Sequence, residues 1–231
     1  STYLEKLGQF YITQNDYEQA LAAYEKLYAN SKTREDVLQI LYQLYGSQNN
    51  YKKMIEMIER MELLSGASEQ LSLTKMQIYE QMGDKRKAQA ELLRLVQKNP
   101  LELNYRVMLG NWLLQNNKKK EAYNEYQTVL KEDPNNAAAQ LSLLDYYRDT
   151  KNEKMVDELT RKLLESKKTE KETKMALLRQ AIMDNQDDST KDSLEVIKLF
   201  NRVLSYPQED ADIVLMKAAY LNLKHAPEDS I

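Results

Sequence analysis

The stretch LGNWLLQNNKKKEAYNEYQTVLKEDP, residues 109–134, indicates how the whole chain is built. It predicts two short amphipathic helices joined by a polar turn at residues 116–118, and Pro134 closes the pair. Apolar residues recur three and four positions apart in each half, which places them on one face of a helix. They are Leu109, Gly110 and Leu113 in the first helix and Ala122, Tyr126, Val129 and Leu130 in the second. The stretch is therefore a helix–turn–helix unit with one apolar side.

This unit recurs along the chain with a period of 34 residues, about five times in register. The columns through Leu109, Gly110, Leu113 and Tyr126 read Leu7, Leu41, Lys75, Leu109, Leu143 and Leu177; Gly8, Tyr42, Met76, Gly110, Leu144 and Leu178; Tyr11, Tyr45, Tyr79, Leu113, Tyr147 and Ala181; and Tyr24, Ile58, Leu92, Tyr126 and Thr160. A period of this length is typical of stacked helical units, in which each unit covers the apolar side of its neighbour.

A 34-residue helix–turn–helix with a Leu-Gly pair, a Tyr, an Ala, a second Tyr and a closing Pro resembles the tetratricopeptide repeat (TPR) family, and the resemblance covers nearly the whole chain. It implies an all-α fold: a single right-handed superhelical α-solenoid over residues 1–231. The expected repeats span residues 1–34, 35–68, 69–102, 103–136, 137–169, 170–207 with a longer turn, and 208–231 in part. We also expect the chain to be a fragment of a longer, bacterial-type protein.

Three positions depart from the family pattern. Lys75 and Thr160 stand where a core apolar residue is expected, and Arg106 replaces a large apolar residue near the start of a helix. We therefore expect looser packing in those repeats.

Composition agrees with a soluble helical protein and argues against two classes of partner. The chain has only five Gly and four Pro among its 231 residues, so helix breakers are few. A formal net charge of −3 gives no electrostatic reason to bind nucleic acid or an anionic membrane. No apolar run approaches the roughly 20 residues that span a bilayer, so membrane insertion is not expected. The sequence is compatible with a cytoplasmic protein or with an exported one whose signal lies outside this chain.

The residues needed for common catalytic or metal sites are missing. The chain has no Cys and a single His, His225, so neither a Ser-His-Asp triad nor a Cys- or His-rich metal site can be assembled. No glycine-rich phosphate-binding motif occurs. The sequence therefore predicts no enzyme, no catalytic, cofactor-binding or metal-binding residue, and no cofactor, with His225 an ordinary surface residue.

One acidic stretch resembles a calcium-binding loop in its spacing. The positions are Asp184, Gln186, Asp188, Thr190, Asp192 and Glu195. Ser189 stands where the sharp turn of such a loop needs Gly, and Gln186 replaces a carboxylate. The pattern favours a hydrated turn in which Asp192 or Ser193 caps the next helix over a calcium site.

The 34-residue period falters near this stretch. We expect a helix over residues 170–184, an inserted turn over 185–191 and a partner helix over 192–205. A further first helix, residues 209–223, has no second helix after it. Its apolar face predicts that the native chain continues or that this end docks on a partner, and a second copy of the chain is one such partner.

The tyrosine column allows two interpretations. Tyr11, Tyr45, Tyr79 and Tyr147 could form an aromatic strip for a ligand, or they could pack in the core with their hydroxyls at a polar edge. They share the face that contacts neighbouring helices, so core packing is favoured. Trp112, the only Trp, is expected to pack between repeats for the same reason.

A polar column carries the functional hypothesis. It lies one residue after the Gly110 column, on each first helix, away from the packing Leu and Tyr, and it reads Gln9, Gln43, Gln77, Asn111, Asp145 and Arg179. The family resemblance implies that first helices line a concave groove that this column faces. Side-chain amides offer paired donors and acceptors for an extended peptide backbone, although amides also occur there simply because the column faces water.

The family's basic clamp for a peptide carboxylate is missing, since the matching positions are Glu5, Gln9, Ile40, Gln70 and Thr74. The sequence thus predicts a non-catalytic protein–protein interaction scaffold that binds a protein or peptide in the groove. Two other hypotheses stay open: a regulatory or positioning region of a larger enzyme or sensor, and a self-associating structural module.

Overall fold

The computed structural model describes residues 2–187, 193–205 and 211–225, and these residues form thirteen α-helices and no strand. The helices are α1 (Thr2–Thr13), α2 (Tyr17–Asn30), α3 (Glu35–Ser47), α4 (Tyr51–Ser65), α5 (Glu69–Gln81), α6 (Lys85–Lys98), α7 (Leu103–Gln115), α8 (Lys119–Glu132), α9 (Ala137–Asp149), α10 (Glu153–Glu165), α11 (Lys171–Asp187), α12 (Ser193–Leu204) and α13 (Ala211–His225). The predicted all-α class is confirmed.

The helices fall into two compact units, Ser1–Leu109 and Gly110–Ile231, with the boundary inside α7. In the N-terminal unit α1 packs on α2, α3 on α4 and α5 on α6 as antiparallel hairpins, and α2 and α4 each pack on the first helix of the next hairpin. In the C-terminal unit α9 packs on α10 and α11 packs on α12 as hairpins, and α8 packs on α9, the first helix of the next hairpin. Within each unit the helices are therefore stacked hairpins; one continuous array over the whole chain stays a prediction.

The turns inside the hairpins also have a backbone conformation that recurs from repeat to repeat. The second residue after each first helix has a positive φ in five successive hairpins: Asn15 (58°), Asn49 (54°), Gly83 (74°), Asn117 (64°) and Lys151 (55°). Asn and Gly tolerate this left-handed conformation, whereas Lys adopts it at a cost of about 1–2 kcal/mol. The backbone conformation of the turn therefore suits its Asn or Gly residue in four repeats and is strained at Lys151 in the fifth.

The next residue in each turn starts the second helix. Asp16, Asn50, Asp84 and Asn152 accept a hydrogen bond from the backbone N–H three residues later, at 3.2, 3.2, 3.0 and 3.3 Å. Such caps satisfy amides at the helix start that have no partner within the helix. The fifth position is Lys118, whose side chain makes no capping hydrogen bond. The second helix is thus capped by a side chain in the four hairpins where this residue is Asp or Asn.

Glycine in two repeats makes room for a tyrosine ring. A Cβ atom added to Gly8 would lie 2.6 Å from the Tyr24 ring, and one added to Gly110 would lie 2.5 Å from the Tyr126 ring. Both rings are almost completely buried. Where the glycine column instead holds Tyr42, Met76 or Leu144, the tyrosine column holds Ile58, Leu92 or Thr160. The side chains of the glycine column and the tyrosine column therefore fill the same space between the two helices. A large residue in one column goes with a smaller residue in the other.

Lys75 does not loosen its repeat, contrary to the expectation from sequence. It is 3% exposed in α5, and its Nζ lies 2.9 Å from Glu62 of α4 and 3.0 Å from Glu91 of α6. Arg94 of α6 lies 3.5 Å from Glu62 and 3.4 Å from Glu91. Two cations and two carboxylates thus join three helices. The carboxylates of Glu62 and Glu91 supply the negative charge that the buried Lys75 ammonium requires.

The last hairpin differs from the predicted boundaries. Helix α11 extends to Asp187, three residues past the predicted end at Asp184, so Asp184 and Gln186 lie in a helix. The other predicted calcium-loop positions between 188 and 192 lie outside the described residues. Among the residues that the structure describes, no group of three or more His, Cys, Asp or Glu side chains could hold a metal ion. Helix α11 therefore extends into the stretch that was predicted as an inserted turn.

The core of the C-terminal unit is built from α9 to α13. Its buried members include Leu144, Leu163, Leu177, Phe200 and Tyr220, and the rings of Phe200 and Tyr220 stack with centroids 6.3 Å apart. Helix α13 thus packs one face, with Ile213 and Tyr220, against α12.

Candidate peptide-binding surface

The predicted polar column lies on the exposed side of the first helices in the N-terminal unit. Gln9 of α1, Gln43 of α3 and Gln77 of α5 are all exposed. Their helices bury the adjacent columns, with Leu41 at 0% and Tyr45 and Tyr79 at 9% exposure. The three amides therefore occupy equivalent places on three successive hairpins.

These three amides are not used by the fold. None of them forms a hydrogen bond to any other residue in the described part of the chain. Each carries two N–H donors and one carbonyl acceptor. Their hydrogen-bonding capacity is consequently available to a ligand or to water.

More polar residues continue the column along each helix at intervals of three or four residues. The stripes are Thr2, Lys6, Gln9 and Thr13 on α1; Asp36, Gln39, Gln43 and Ser47 on α3; and Gln70, Thr74, Gln77 and Gln81 on α5. We call these twelve residues the amide stripes. Only Lys6 and Asp36 among them carry a charge. The surface can therefore form hydrogen bonds with a ligand but exerts little electrostatic attraction on a charged one. Sequence reasoning found one residue of each stripe and missed the others, although their spacing was visible.

A cluster of ion pairs joins helices α1 and α3 at one end of the first two stripes. Arg34, at the start of α3, donates to Glu5 of α1 at 3.1 Å and also to Asp36. The hydrogen bond from Arg34 lowers the pKa of Asp36. The one acidic side chain of the stripes is therefore already paired, which leaves the surface close to neutral.

The column has a different character in the C-terminal unit. The Oδ1 atom of Asn111 accepts a hydrogen bond from the buried Tyr126 hydroxyl at 2.8 Å, so this amide helps to hold the core. Asp145 is exposed and pairs with Arg148 at 3.3 Å, and Arg179 is exposed. Amides give way to charges here, so the chemical character of the column changes along the chain.

The tyrosine column packs in the core as predicted. Tyr45, Tyr79 and Tyr147 are less than 10% exposed, and Tyr11 is partly buried. The Tyr45 hydroxyl donates to Glu25 of α2 at 2.7 Å. Burial, with the neighbouring carboxylate, raises the pKa of Tyr45. Trp112 is also buried, at 7% exposure. These aromatic groups stabilise the stacking, so the amide stripes remain the candidate surface.

Stacked 34-residue hairpins with buried Leu, Gly, Tyr and Ala columns define a helical repeat protein. Models of the tetratricopeptide repeat match residues 1–32 and 73–137. The chain is a tetratricopeptide repeat protein, which is in general a class of protein-interaction scaffold.

Several solved structures are similar to this chain. The crystal structure of YrrB, described as a TPR protein with an unusual peptide-binding site, is 20% identical over 66% of this chain and 79% of its own, with a TM-score of 0.43. A crystal structure of MamA is 16% identical over 83% of this chain and 94% of its own, with a TM-score of 0.44. MamA from Desulfovibrio magneticus RS-1, residue 41 to its end, is 14% identical over 68% and 89%, with a TM-score of 0.43.

A search of curated proteins found no match. Among the described residues, no helix is long and apolar enough to cross a membrane.

Proposed function

We propose that the N-terminal unit binds an extended segment of another protein on the amide stripes and that it does so without chemistry. The observation that carries this proposal is the set of three exposed amides, Gln9, Gln43 and Gln77, which the fold leaves without hydrogen-bonding partners. An extended peptide has unpaired N–H and C=O groups along its whole length. Amides at a regular spacing can donate to one group and accept from the next.

The near-neutral surface favours backbone recognition over charge recognition. Arg34 already pairs with Asp36, and no basic clamp for a carboxylate stands on these helices. The bound segment is therefore expected to be uncharged or of mixed charge, with recognition through its main chain.

The experiment selects peptides from a random library against the chain and measures their dissociation constants by calorimetry. The triple variant Gln9→Ala, Gln43→Ala, Gln77→Ala should bind about 10- to 1,000-fold more weakly, since each hydrogen bond contributes about 0.5–1.5 kcal/mol. N-methylation of the peptide backbone should weaken binding to the wild type, because it removes the N–H donors.

A matched control replaces two exposed amides on second helices, Gln19 of α2 and Gln97 of α6, with Ala. This variant should bind as the wild type does. Equal affinity of the triple variant and the control would refute recognition by the stripes. Circular dichroism should show that both variants keep their helicity.

A second proposal is self-association through α13. This helix buries Ile213 and Tyr220, while Leu215, Ala219 and Leu223 follow one another at intervals of four residues on another face. Leu215 is 65% exposed and Leu223 is 67% exposed. Sedimentation at several concentrations should show a dimer that Leu215→Asp abolishes. A monomer at every concentration would contradict it.

A further inference from the structure

A cavity of about 460 Å³ lies within the C-terminal unit, between α10, α11 and α12. Its apolar wall includes Val156, Leu177 and Val196, and its mouth is lined by exposed charged residues such as Arg161 and Glu195. Its volume lies within the range of about 300–1,000 Å³ that is typical of small-ligand sites. It lies on a different unit from Gln9, Gln43 and Gln77.

The cavity coincides with two truncations of the repeat. Thr160 occupies the column that holds Tyr24, Ile58, Leu92 and Tyr126 in the other repeats, and Ala181 occupies the column that holds Tyr11, Tyr45, Tyr79, Leu113 and Tyr147. Both short side chains line the cavity. Two large side chains that fill the core elsewhere are therefore missing at this one place, and the neighbouring helices have not closed the space.

The cavity also contains a polar group that the protein leaves unpaired. Thr160 is 9% exposed, and its hydroxyl makes no hydrogen bond to any residue that the structure describes. Nearby, Asn185 is 5% exposed and accepts a hydrogen bond from the Tyr220 hydroxyl at 3.1 Å. The hydroxyl is not completely shielded from solvent, so a ligand atom that enters the cavity can hydrogen-bond to it.

We infer that this cavity binds an aromatic ring carrying one hydrogen-bonding atom, the chemistry of a phenol. The ring replaces the missing tyrosine side chains against the apolar wall, and its hydroxyl pairs with Thr160. The phenol can be supplied by a tyrosine side chain of a bound polypeptide or by a free small molecule. The site is independent of peptide binding by the amide stripes.

The experiment titrates the whole chain with p-cresol, which reproduces a tyrosine side chain, and follows the methyl NMR signals of Val196 and Leu199. Both residues line the cavity. The two signals should shift together and saturate with a dissociation constant below about 1 mM. No saturable shift at that concentration would overturn the inference.

Two kinds of variant locate the binding. Thr160→Leu and Ala181→Leu each narrow the cavity with a side chain of the kind found elsewhere in the repeat, and each should weaken p-cresol binding. Thr160→Val keeps the volume and removes only the hydroxyl, so p-cresol should bind about 3- to 10-fold more weakly while toluene binds as before. Undiminished binding of p-cresol to folded Thr160→Leu or Ala181→Leu would overturn the assignment to this cavity.

A final comparison distinguishes the two sources of the ring. A short peptide containing one tyrosine should bind more tightly than p-cresol if the charged mouth contacts the peptide chain, and equally or more weakly if the natural ligand is a small phenol. Both outcomes support the phenol site, since both require the ring. The triple variant at Gln9, Gln43 and Gln77 should leave p-cresol binding unchanged, so failure of either proposal is seen separately.

Discussion

Gly110→Ala tests whether the two helices of the repeat pack through the space that Gly110 leaves for the Tyr126 ring. The added Cβ would lie 2.5 Å from the Tyr126 ring, about 1 Å closer than an ordinary carbon–carbon contact. Tyr126 is completely buried and its hydroxyl bonds to Asn111, so the ring has little freedom to move. Overpacking of this kind costs about 1–3 kcal/mol, while replacing Gly by Ala in a helix returns up to about 1 kcal/mol. We expect a net loss of about 1–2 kcal/mol in the free energy of unfolding.

Gly46→Ala is the matched control. A Cβ there would lie 3.5 Å from the flexible end of Met54, which is an ordinary contact. Its only expected effect is the gain in helix propensity, up to about 1 kcal/mol. The two substitutions should therefore differ by the cost of overpacking, about 1–3 kcal/mol, in urea unfolding followed by circular dichroism.

The Tyr126→Leu background completes the test. Leu92 occupies this column in the third repeat, opposite Met76 in the glycine column. With the ring removed, Gly110→Ala should become neutral or stabilising, although Tyr126→Leu is itself destabilising. The reasoning is refuted if Gly110→Ala has the same cost in both backgrounds, or if it stabilises the wild type as Gly46→Ala does.

Three further predictions concern the charges and turns. Lys75→Met should lower the free energy of unfolding by about 3 kcal/mol, because it leaves the largely buried Glu62 and Glu91 with only Arg94 to balance two carboxylates, whereas removal of an exposed lysine such as Lys85 should cost less than about 1 kcal/mol in the same denaturation assay. Lys151→Gly should raise the melting temperature through a gain of about 1 kcal/mol, since φ is 55° there; a lower melting temperature would contradict the assigned strain. Burial, with its contacts to Tyr123, raises the pKa of Tyr147 to about 12, so its contribution is complete below about pH 10 and is lost as the pH rises toward 12; Tyr147→Phe should flatten the stability-against-pH curve there, and an unchanged curve would count against it.

The hairpin architecture could be predicted from sequence because its signals are local. The apolar columns, the Asn and Gly turn residues and the exposure of Gln43 all follow from positions within one repeat. The period exposes a helix boundary to within a few residues, and it fails at α11, where the added residues extend the helix past Asp184.

The contacts that the sequence did not predict join residues in different helices. The partners of Lys75 are Glu62 and Glu91, which are unremarkable surface-type residues until packing brings them within 3.0 Å of it. Asn111, which was predicted to face a ligand, also accepts a hydrogen bond from the Tyr126 hydroxyl. Such pairings depend on how far a side chain reaches between helices, which a column of residue types does not record.

The most direct test of the proposed binding surface is to follow the side-chain amide NMR signals of Gln9, Gln43 and Gln77 while a selected peptide is added. Recognition by the amide stripes requires that all three signals shift in proportion and saturate at one equivalent of peptide, while those of Gln19 and Gln97 stay in place. Saturable peptide binding that leaves the three signals unmoved would contradict it.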